Sequence, residues 1–344
     1  MEKKKKIKKI LRILLPIVTI ISMFFVPWVL LRVWLAPLPD TVQEQVTEAT
    51  KLGFDGIIVY VEQGGKEPDF YTAGWNNREK RIPADASSLF KIASIGKLYD
   101  AVAITKLVND NELSLDKKLA DFLPELVGRI ENAEEITLRM MVQHKSGIPN
   151  FTDSPNFWIN PPENSKDTLE LVLDLPANFQ PGEDYEYSNT NYLLISEIIE
   201  KELGYSKFQY IKEEILVPLG LKNTFASVHD VNMDDLMSGY YVGIEEDIKT
   251  ADYGSMIATV EDLGIFLRSL NDGSVFDNGE QEIYSSIYQY GHTGLIPGYQ
   301  SIARYHQDID AVVIQFGNTT NFEGYTWNLF EIVYNRVIKI LSME

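Results

Sequence analysis

Two residues capable of chemistry, Ser94 and Lys97, lie three positions apart in a stretch that favours a helix over residues 95–108. Side chains at positions i and i+3 share one face of a helix, so the hydroxyl and the ammonium can meet there. A serine becomes an effective nucleophile when a base takes its proton, and burial makes lysine such a base because it disfavours the charged form. Taken alone the spacing is weak, since a helix cap beside a solvated lysine gives the same pattern.

Two further triplets offer groups that could complete a site. Residues 187–189, Tyr-Ser-Asn, follow a Pro-Gly pair and precede a predicted helix, so a loop there can direct a phenol and a carboxamide into a cleft. A phenol can share protons with a lysine, and an amide can orient a substrate. Residues 292–294, His-Thr-Gly, end a strand-like run, where glycine permits close backbone approach. Packing or helix capping remains the simpler interpretation of the Tyr-Ser-Asn triplet by itself.

Together, the three motifs resemble those of the serine β-lactamase and penicillin-binding protein superfamily, in the order S-x-x-K, Y-x-N and [KH]-T-G. The Y-S-N form is similar to class C β-lactamases, serine DD-carboxypeptidases and their esterase-like relatives. The resemblance covers roughly residues 55–340. Further stretches that share it are residues 90–93 (FKIA), 143–149 (QHKSGIP), 181–182 (PG), 217–221 (VPLGL), 259–263 (TVEDL) and 317–318 (GN).

The resemblance implies catalytic roles for three side chains. Ser94 would be the acylated nucleophile, and Lys97 would accept its proton, together with or through Tyr187. Tyr187 would then help to protonate the leaving group and later activate water. We find no counterpart of the separate deacylating glutamate of class A enzymes, which agrees with a tyrosine-based mechanism.

The resemblance also implies substrate-binding roles. Asn189 would contact the amide side of the substrate, while His292 and Thr293 would line the far wall and meet a carboxylate or polar head. The oxyanion hole would use the backbone amides of Ser94 and of Leu295, which follows Gly294. Most relatives have lysine where this chain has His292, so a fixed positive charge for a substrate carboxylate is in doubt at neutral pH.

The composition of the chain excludes several kinds of site and partner. The chain has 344 residues, 45% of them apolar, and a formal net charge of −19, so it can bury a sizeable core. The absence of cysteine excludes disulfides, thiol catalysis and Cys-rich zinc sites. No spacing of His, Asp and Glu indicates a metal, so we expect neither metal nor cofactor, and His144 is interpreted as a structural hydrogen-bonding residue. The acidity argues against nucleic acid as a partner.

The elements that must position these groups follow from the hydrophobic pattern. Two strand-like runs come first, then a long and mostly helical middle, three more strand-like runs and a closing helix. We therefore expect an α+β, β-lactamase/transpeptidase-like fold, with an antiparallel sheet flanked by helices, an inserted helical lobe and one preceding transmembrane helix. The predicted strands cover residues 54–61, 69–75, 289–293, 300–305 and 311–316.

The N-terminal segment differs in charge from the rest. Residues 13–31 carry no charge, and as a helix they would rise about 28 Å, enough to cross the hydrocarbon core. Seven lysines and arginines precede this run, which predicts a cytoplasmic N-terminus and an extracytoplasmic catalytic domain. The predicted organisation is a basic tail (1–12), a transmembrane signal-anchor (13–35), a linker with a first helix (36–53) and the serine hydrolase domain (54–344).

A cleaved signal peptide is the alternative to an anchor. The apolar region of a signal peptide spans about 7–15 residues and ends at a small-x-small site. The run here is longer, and Ala36 is preceded two positions earlier by the bulky Trp34. We therefore expect an anchor that is not cleaved and that attaches the protein to the cell membrane.

The sequence thus predicts a membrane-anchored extracytoplasmic serine hydrolase that acts through an acyl-enzyme at Ser94. Its expected partner is a small-molecule or peptide substrate: a D-amino-acid peptide, a β-lactam or a small ester. The first alternative is a non-catalytic penicillin-binding or sensor protein on the same fold, and the second is a tethered scaffold that acts through its acidic surface. The oligomeric state stays open.

Overall fold

A central antiparallel sheet is built from both ends of the chain in the computed structural model, which describes residues 26–343 together with residues 4, 8, 12, 14, 15, 18 and 22–24. Its six strands are Gly56–Gln63 (β1), Asp69–Asn77 (β2), Ile82–Pro83 (β3), His292–Ile296 (β8), Tyr299–His306 (β9) and Ala311–Gly317 (β10), in the order β3-β2-β1-β10-β9-β8. Short strands form two small sheets: Phe90–Lys91 (β4), Thr224–Phe225 (β5) and Ile257–Ala258 (β7), and Tyr240–Tyr241 (β6) with Thr319–Thr320 (β11).

Eight α-helices of the described part of the chain lie between β4 and β8, and further helices near both ends of the sequence flank the sheet. The α-helices are Trp28–Leu35 (α1), Val42–Ala49 (α2), Gly96–Asn109 (α3), Leu119–Phe122 (α4), Leu138–Val142 (α5), Ser165–Glu170 (α6), Asn189–Leu203 (α7), Lys207–Ile211 (α8), Val260–Asp272 (α9), Glu280–Ile287 (α10) and Thr326–Leu341 (α11). The segment between β4 and β8 therefore forms the inserted helical lobe.

The two faces of the sheet pack in different cores, because successive residues of a strand point to opposite sides. In β1, Ile57 and Val59 belong to the core that includes residues of α2 and α11. Ile58 and Tyr60 belong to the larger core, which also contains residues of α3, α7 and α9. The sheet therefore separates α2 and α11 from the helical lobe that carries the catalytic candidates.

The predicted antiparallel α+β architecture is confirmed, but the strand predicted over residues 289–293 begins later, at His292. The reason lies in the preceding carbonyl groups, which accept hydrogen bonds from side chains. The hydroxyl of Tyr284 donates to the carbonyl of Gln289 (2.6 Å), and Asn271 donates to the carbonyl of Tyr290 (3.0 Å). The His-Thr-Gly triplet therefore begins the strand instead of ending it.

Much of the predicted transmembrane segment, including most of residues 13–25, lies outside the described residues. Its described C-terminal part forms α1, which begins directly after Pro27. Within the described part of the chain, no helix combines the length and apolar character needed to cross a membrane.

The predicted linker over residues 36–53 packs against the last helix. The guanidinium of Arg336, in α11, donates to the carbonyls of Ala36 (2.8 Å) and Pro37 (2.6 Å) and to the side chain of Gln45 (2.6 Å). Arg336 is only 5% exposed, and Val46 of α2 is completely buried. The predicted domain boundary at residue 54 therefore divides elements that share one core.

Candidate active site

Ser94 and Lys97 meet as their spacing predicts. Ser94 lies in a single 3-10 turn, Ala93–Ile95, that leads into α3, and Lys97 lies in the first turn of that helix. The Lys97 ammonium donates to the Ser94 hydroxyl (3.2 Å) and to the side-chain oxygen of Asn189 (2.8 Å). Ser94 is partly exposed, whereas Lys97 is 8% exposed. A reachable hydroxyl is thus held against a nearly buried amine.

The backbone around the nucleophile candidate is strained and tightly enclosed. Ala93 has a φ of 51°, a left-handed conformation that costs a non-glycine residue roughly 1–2 kcal/mol. Its amide donates to the hydroxyl of Ser255 (2.8 Å), which helps to hold the turn. A side chain at Gly294 would collide with the carbonyl oxygen of Ile92 and the hydroxyl of Ser301. Only glycine lets β8 approach the turn that carries Ser94 so closely.

The Tyr-Ser-Asn triplet is held by the loop that begins at His144. The amide of Ser188 donates to Nδ1 of His144 (3.2 Å), so His144 has the structural role that the sequence predicts. The amide of Asn189 donates to the side-chain oxygen of Asn150 (3.0 Å), which also accepts from the Asn189 carboxamide (3.3 Å). Sequence reasoning missed Asn150, although it directly follows the family-like stretch 143–149.

Tyr187 has a buried hydroxyl that makes no hydrogen bond to any described residue. Its ring stacks on the His144 ring, with 4.4 Å between the ring centres, and the Lys97 ammonium lies 5.1 Å from its centre. Buried polar atoms in proteins normally have partners, so such an orphan requires an explanation. A phenol held rigidly and left unpaired is suited to exchange a proton with a substrate.

His292 cannot replace the lysine of the third motif as a fixed charge. Burial, reinforced by the Lys97 ammonium, lowers the pKa of His292 to about 4. Its Nδ1 lies 2.5 Å from the carbonyl of Thr293, which can only accept, so Nδ1 carries the proton and Nε2 is an acceptor. The ring is neutral at pH 7. The doubt raised by the sequence therefore has a physical basis.

The lowered pKa values of His144 and His292 predict that acid destabilises the folded protein. Burial and the Lys97 ammonium lower the pKa of His144 to about 3, compared with an ordinary value of 6.5. The unfolded chain takes up these protons below pH 6.5 while the folded chain does not, so the free energy of unfolding falls as the pH drops from 6.5 towards 4. Urea denaturation between pH 7 and pH 4.5 measures this dependence.

The matched variant is His292→Asn, which lacks one of the two histidines that contribute to the pH dependence of the unfolding free energy. Carboxylates titrate in both proteins, so their effect cancels in the comparison. We expect the unfolding free energy of the variant to depend less steeply on pH. Identical slopes in the parent and the variant would contradict the prediction.

A single cleft of about 920 Å³ brings the predicted site residues together. It is lined by Ser94, Lys97, Tyr187, Asn189, His292, Thr293 and Leu295. Gly294 lies between the last two, against the nucleophile turn. Trp158, from the helical lobe, packs edge-on against both Tyr253 and Phe322, with 5.6 Å between ring centres in each case. Trp158 and Tyr253 thus form an aromatic part of the cleft wall.

Within the described residues, no group of three or more His, Asp or Glu side chains could hold a metal ion. The cleft instead contains a hydroxyl, an amine, a phenol and a carboxamide. Such a set can take a proton from a nucleophile, return it to a leaving group and orient an amide or ester. The side chains alone can therefore support acyl transfer.

Known proteins share both the sequence pattern and the fold. A family model described as Beta-lactamase matches residues 40–286. Protein flp of Staphylococcus aureus (strain MW2) is 27% identical over 265 residues, which are 74% of this chain and 51% of that protein. Penicillin-binding protein 4* of Bacillus subtilis (strain 168) is 29% identical over 187 residues, 52% of this chain and 39% of that protein. The chain thus spans about half the length, or less, of these curated relatives.

Solved structures at low identity support the fold alone. D-amino acid amidase from Ochrobactrum anthropi SV3, complexed with D-phenylalanine, superposes with a TM-score of 0.77 at 22% identity, covering 88% of this chain and 98% of that chain. The octameric penicillin-binding protein homologue from Pyrococcus abyssi gives a TM-score of 0.71 at 23% identity, covering 87% and 76%.

Proposed function

This chain belongs to the beta-lactamase family, a family of serine hydrolases, and from that premise we propose that it hydrolyses an amide or ester through an acyl-enzyme at Ser94. The observation that carries the proposal is the contact of 3.2 Å between the Lys97 ammonium nitrogen and the Ser94 hydroxyl, on the wall of the cleft. The same lysine is held by Asn189, so its position does not depend on substrate. No cofactor enters the mechanism.

The proposed reaction has two acyl transfers. Lys97 takes the proton of Ser94 as the serine oxygen attacks the substrate carbonyl carbon, and the amides of Ser94 and Leu295 stabilise the resulting oxyanion. The bond to the leaving amine or alcohol breaks as Tyr187 passes it a proton, and the Lys97 ammonium returns a proton to Tyr187. Water then gives a proton to Lys97 through Tyr187 as it attacks the acyl carbon. The bond from that carbon to Ser94 breaks, Lys97 returns the proton to the serine oxygen, and the acid is released. A positioned base contributes roughly 10²–10⁴-fold to such a rate, and each oxyanion donor roughly 10²–10³-fold.

The proposed substrates are a D-amino-acid peptide, a β-lactam and a small ester. The likeness to a D-amino acid amidase and to penicillin-binding proteins supports an amide. The neutral His292 argues against a substrate that needs a fixed cation on the β8 wall. The aromatic part of the cleft wall, formed by Trp158 and Tyr253, favours a substrate with an apolar group.

We further propose that the chain is anchored in the cell membrane by residues 13–35, with the cleft on the extracytoplasmic side. The uncharged run over residues 13–31 and the basic residues before it support this arrangement. Extraction of cell membranes with carbonate tests it, because an anchored protein stays in the pellet. A mature N-terminus near Pro37 would instead show that the segment is cleaved.

The test of the proposed activity is covalent labelling of the full-length protein in mild detergent. We expect intact-mass analysis to show one fluorophosphonate adduct and to map it to Ser94. A persistent penicillin adduct in parallel would favour a penicillin-binding role, rapid penicillin turnover a β-lactamase, and labelling by the ester probe alone the esterase branch. The absence of any adduct from the folded protein would reject the hydrolase proposal and leave a binding or sensor role.

A further inference from the structure

The cleft has a second polar site, one that the proposed reaction does not use. The ammonium of Lys207, the first residue of α8, lies 2.6 Å from Oδ1 of Asp100 and donates to the hydroxyl of Ser196 (2.8 Å). All three residues line the same cleft as Ser94. They come from α8, α3 and α7 respectively, so three helices of the lobe converge on this end of the cleft, which we call the inner end.

The inner end lies at a defined distance from the nucleophile. Ser94, Lys97 and Asp100 follow one another at intervals of three residues, and all three line the cleft. Asp100 lies six positions after Ser94, and a helix rises 1.5 Å per residue, so the two backbone positions are about 9 Å apart along its axis. A substrate attached to Ser94 could reach the inner end only with an acyl group of comparable length.

The inner end favours an anion. An ammonium group has three N–H donors; among the described residues Lys207 donates one to Ser196 and forms an ion pair with Asp100. The side chain of Lys207 is 20% exposed and that of Asp100 is 8% exposed, so the ammonium is the more accessible half of the pair. A ligand can therefore reach a remaining N–H donor of Lys207.

Two further carboxylates line the cleft. Glu163 is exposed to water, and Asp252 contacts His229 (3.2 Å). Among the described residues that line the cleft, Lys207 is the one lysine besides the catalytic candidate. On the β8 wall, where relatives have a lysine, His292 is neutral. The cleft therefore offers Lys207 as the cation available to a substrate.

We propose that Lys207, oriented by Asp100 and Ser196, binds a carboxylate at the far end of the substrate's acyl group. This inference rests on the acyl-enzyme chemistry proposed above and names its substrate class: amides or esters of dicarboxylic acids or of acyl groups with a terminal carboxylate. The carboxylate takes no part in bond breaking. Water still cleaves the acyl bond, giving a dicarboxylic acid and the free alcohol or amine.

The distance of about 9 Å makes the inference length-dependent. An extended chain advances about 1.2 Å per bond, so about seven bonds are needed to span it. An eight-carbon diacid provides seven bonds between its two carboxyl carbons and spans about this separation, whereas a four-carbon diacid provides three and falls short of it. Only the longer acyl group should therefore gain from its terminal charge.

The experiment measures kcat/KM of the full-length protein in mild detergent with four 4-nitrophenyl esters. Two are monoesters of the four- and eight-carbon diacids, and two are the butanoate and octanoate esters that match them in length. Spontaneous hydrolysis is subtracted from each rate. The quantity compared is the preference, defined as the ratio of kcat/KM for the diacid monoester to that for the matched alkanoate.

We expect Lys207→Met to lower the eight-carbon preference about 10- to 100-fold and to leave the four-carbon preference unchanged. Lys207→Arg keeps the charge and should retain most of the eight-carbon preference. Lys212→Met is the matched control, because it removes an exposed lysine five positions further along the chain. Equal eight-carbon preferences in the parent and in Lys207→Met would overturn the inference and leave the acyl-enzyme proposal intact.

A second measurement needs no variant. Free octanedioate should inhibit octanoate ester hydrolysis by the parent protein at a concentration about 10-fold lower than free octanoate does. Equal inhibition by the two acids would overturn the inference even if Lys207→Met failed to fold. Failure of the parent protein to hydrolyse any of the esters, together with no labelling of Ser94, would reject the proposed function and the inference with it.

Discussion

Ser94→Ala is expected to abolish covalent labelling by penicillin and fluorophosphonate probes and to lower ester or amide turnover by about 10⁴-fold or more. The Lys97 ammonium contacts one hydroxyl among the described residues, that of Ser94, so no second nucleophile is positioned to replace it. The lost hydroxyl makes no other hydrogen bond to the described residues, so the variant should unfold at nearly the parent temperature. Intact-mass analysis and initial rates measure the two chemical effects, and thermal denaturation measures the third.

Ser285→Ala is the matched control, since it removes an exposed hydroxyl from α10 and should label and turn over like the parent. Retention of the adduct in Ser94→Ala would show that another residue is acylated. Retained turnover without an adduct would show that hydrolysis does not pass through this serine. Either result would contradict the mechanism.

Lys97→Met is expected to lower the rate of acylation about 10²–10⁴-fold, the second large effect. Methionine has a similar length and suits a site between two aromatic rings, here those of Tyr187 and Tyr192, but it cannot accept a proton. The variant should therefore fold and leave Ser94 without its base. Stopped-flow or quenched labelling with the fluorophosphonate probe gives the rate directly.

The control for this prediction is Lys145→Met, which removes an exposed lysine from the loop that supports the site. Its acylation rate should match that of the parent within about threefold. A Lys97→Met rate within the same range would show that another group accepts the proton. Tyr187→Phe would then be the variant that loses activity, because Tyr187 carries the unpaired phenol nearest to the lysine.

Much of the site was predictable because its key contacts are local. Ser94 and Lys97 are three positions apart, and a helix of any origin would bring them together. The sheet was predictable because β1 and β10 are mostly apolar and almost completely buried. The resemblance to a known family predicted the fold into which these strands and motifs assemble.

The groups that hold the site depend on contacts between distant positions, which no local pattern encodes. Asn150 and Asn189 are 39 positions apart, and His144 is 44 positions from the backbone amide of Ser188 that it binds. The Asp100–Lys207 pair joins α3 and α8 across 107 positions of sequence. The late start of β8 has a similar cause, because side chains from α9 and α10 capture the carbonyls that would have extended the ladder.

The contacts of Arg336 attach residues 36–37 firmly to α11. A guanidinium that is 5% exposed and donates to two backbone carbonyls of residues 36–37 would leave buried N–H donors unsatisfied if it released them. A force on the segment is therefore passed to α11. If residues 13–35 lie in a membrane, as proposed, these contacts limit how far the cleft can move from the lipid surface.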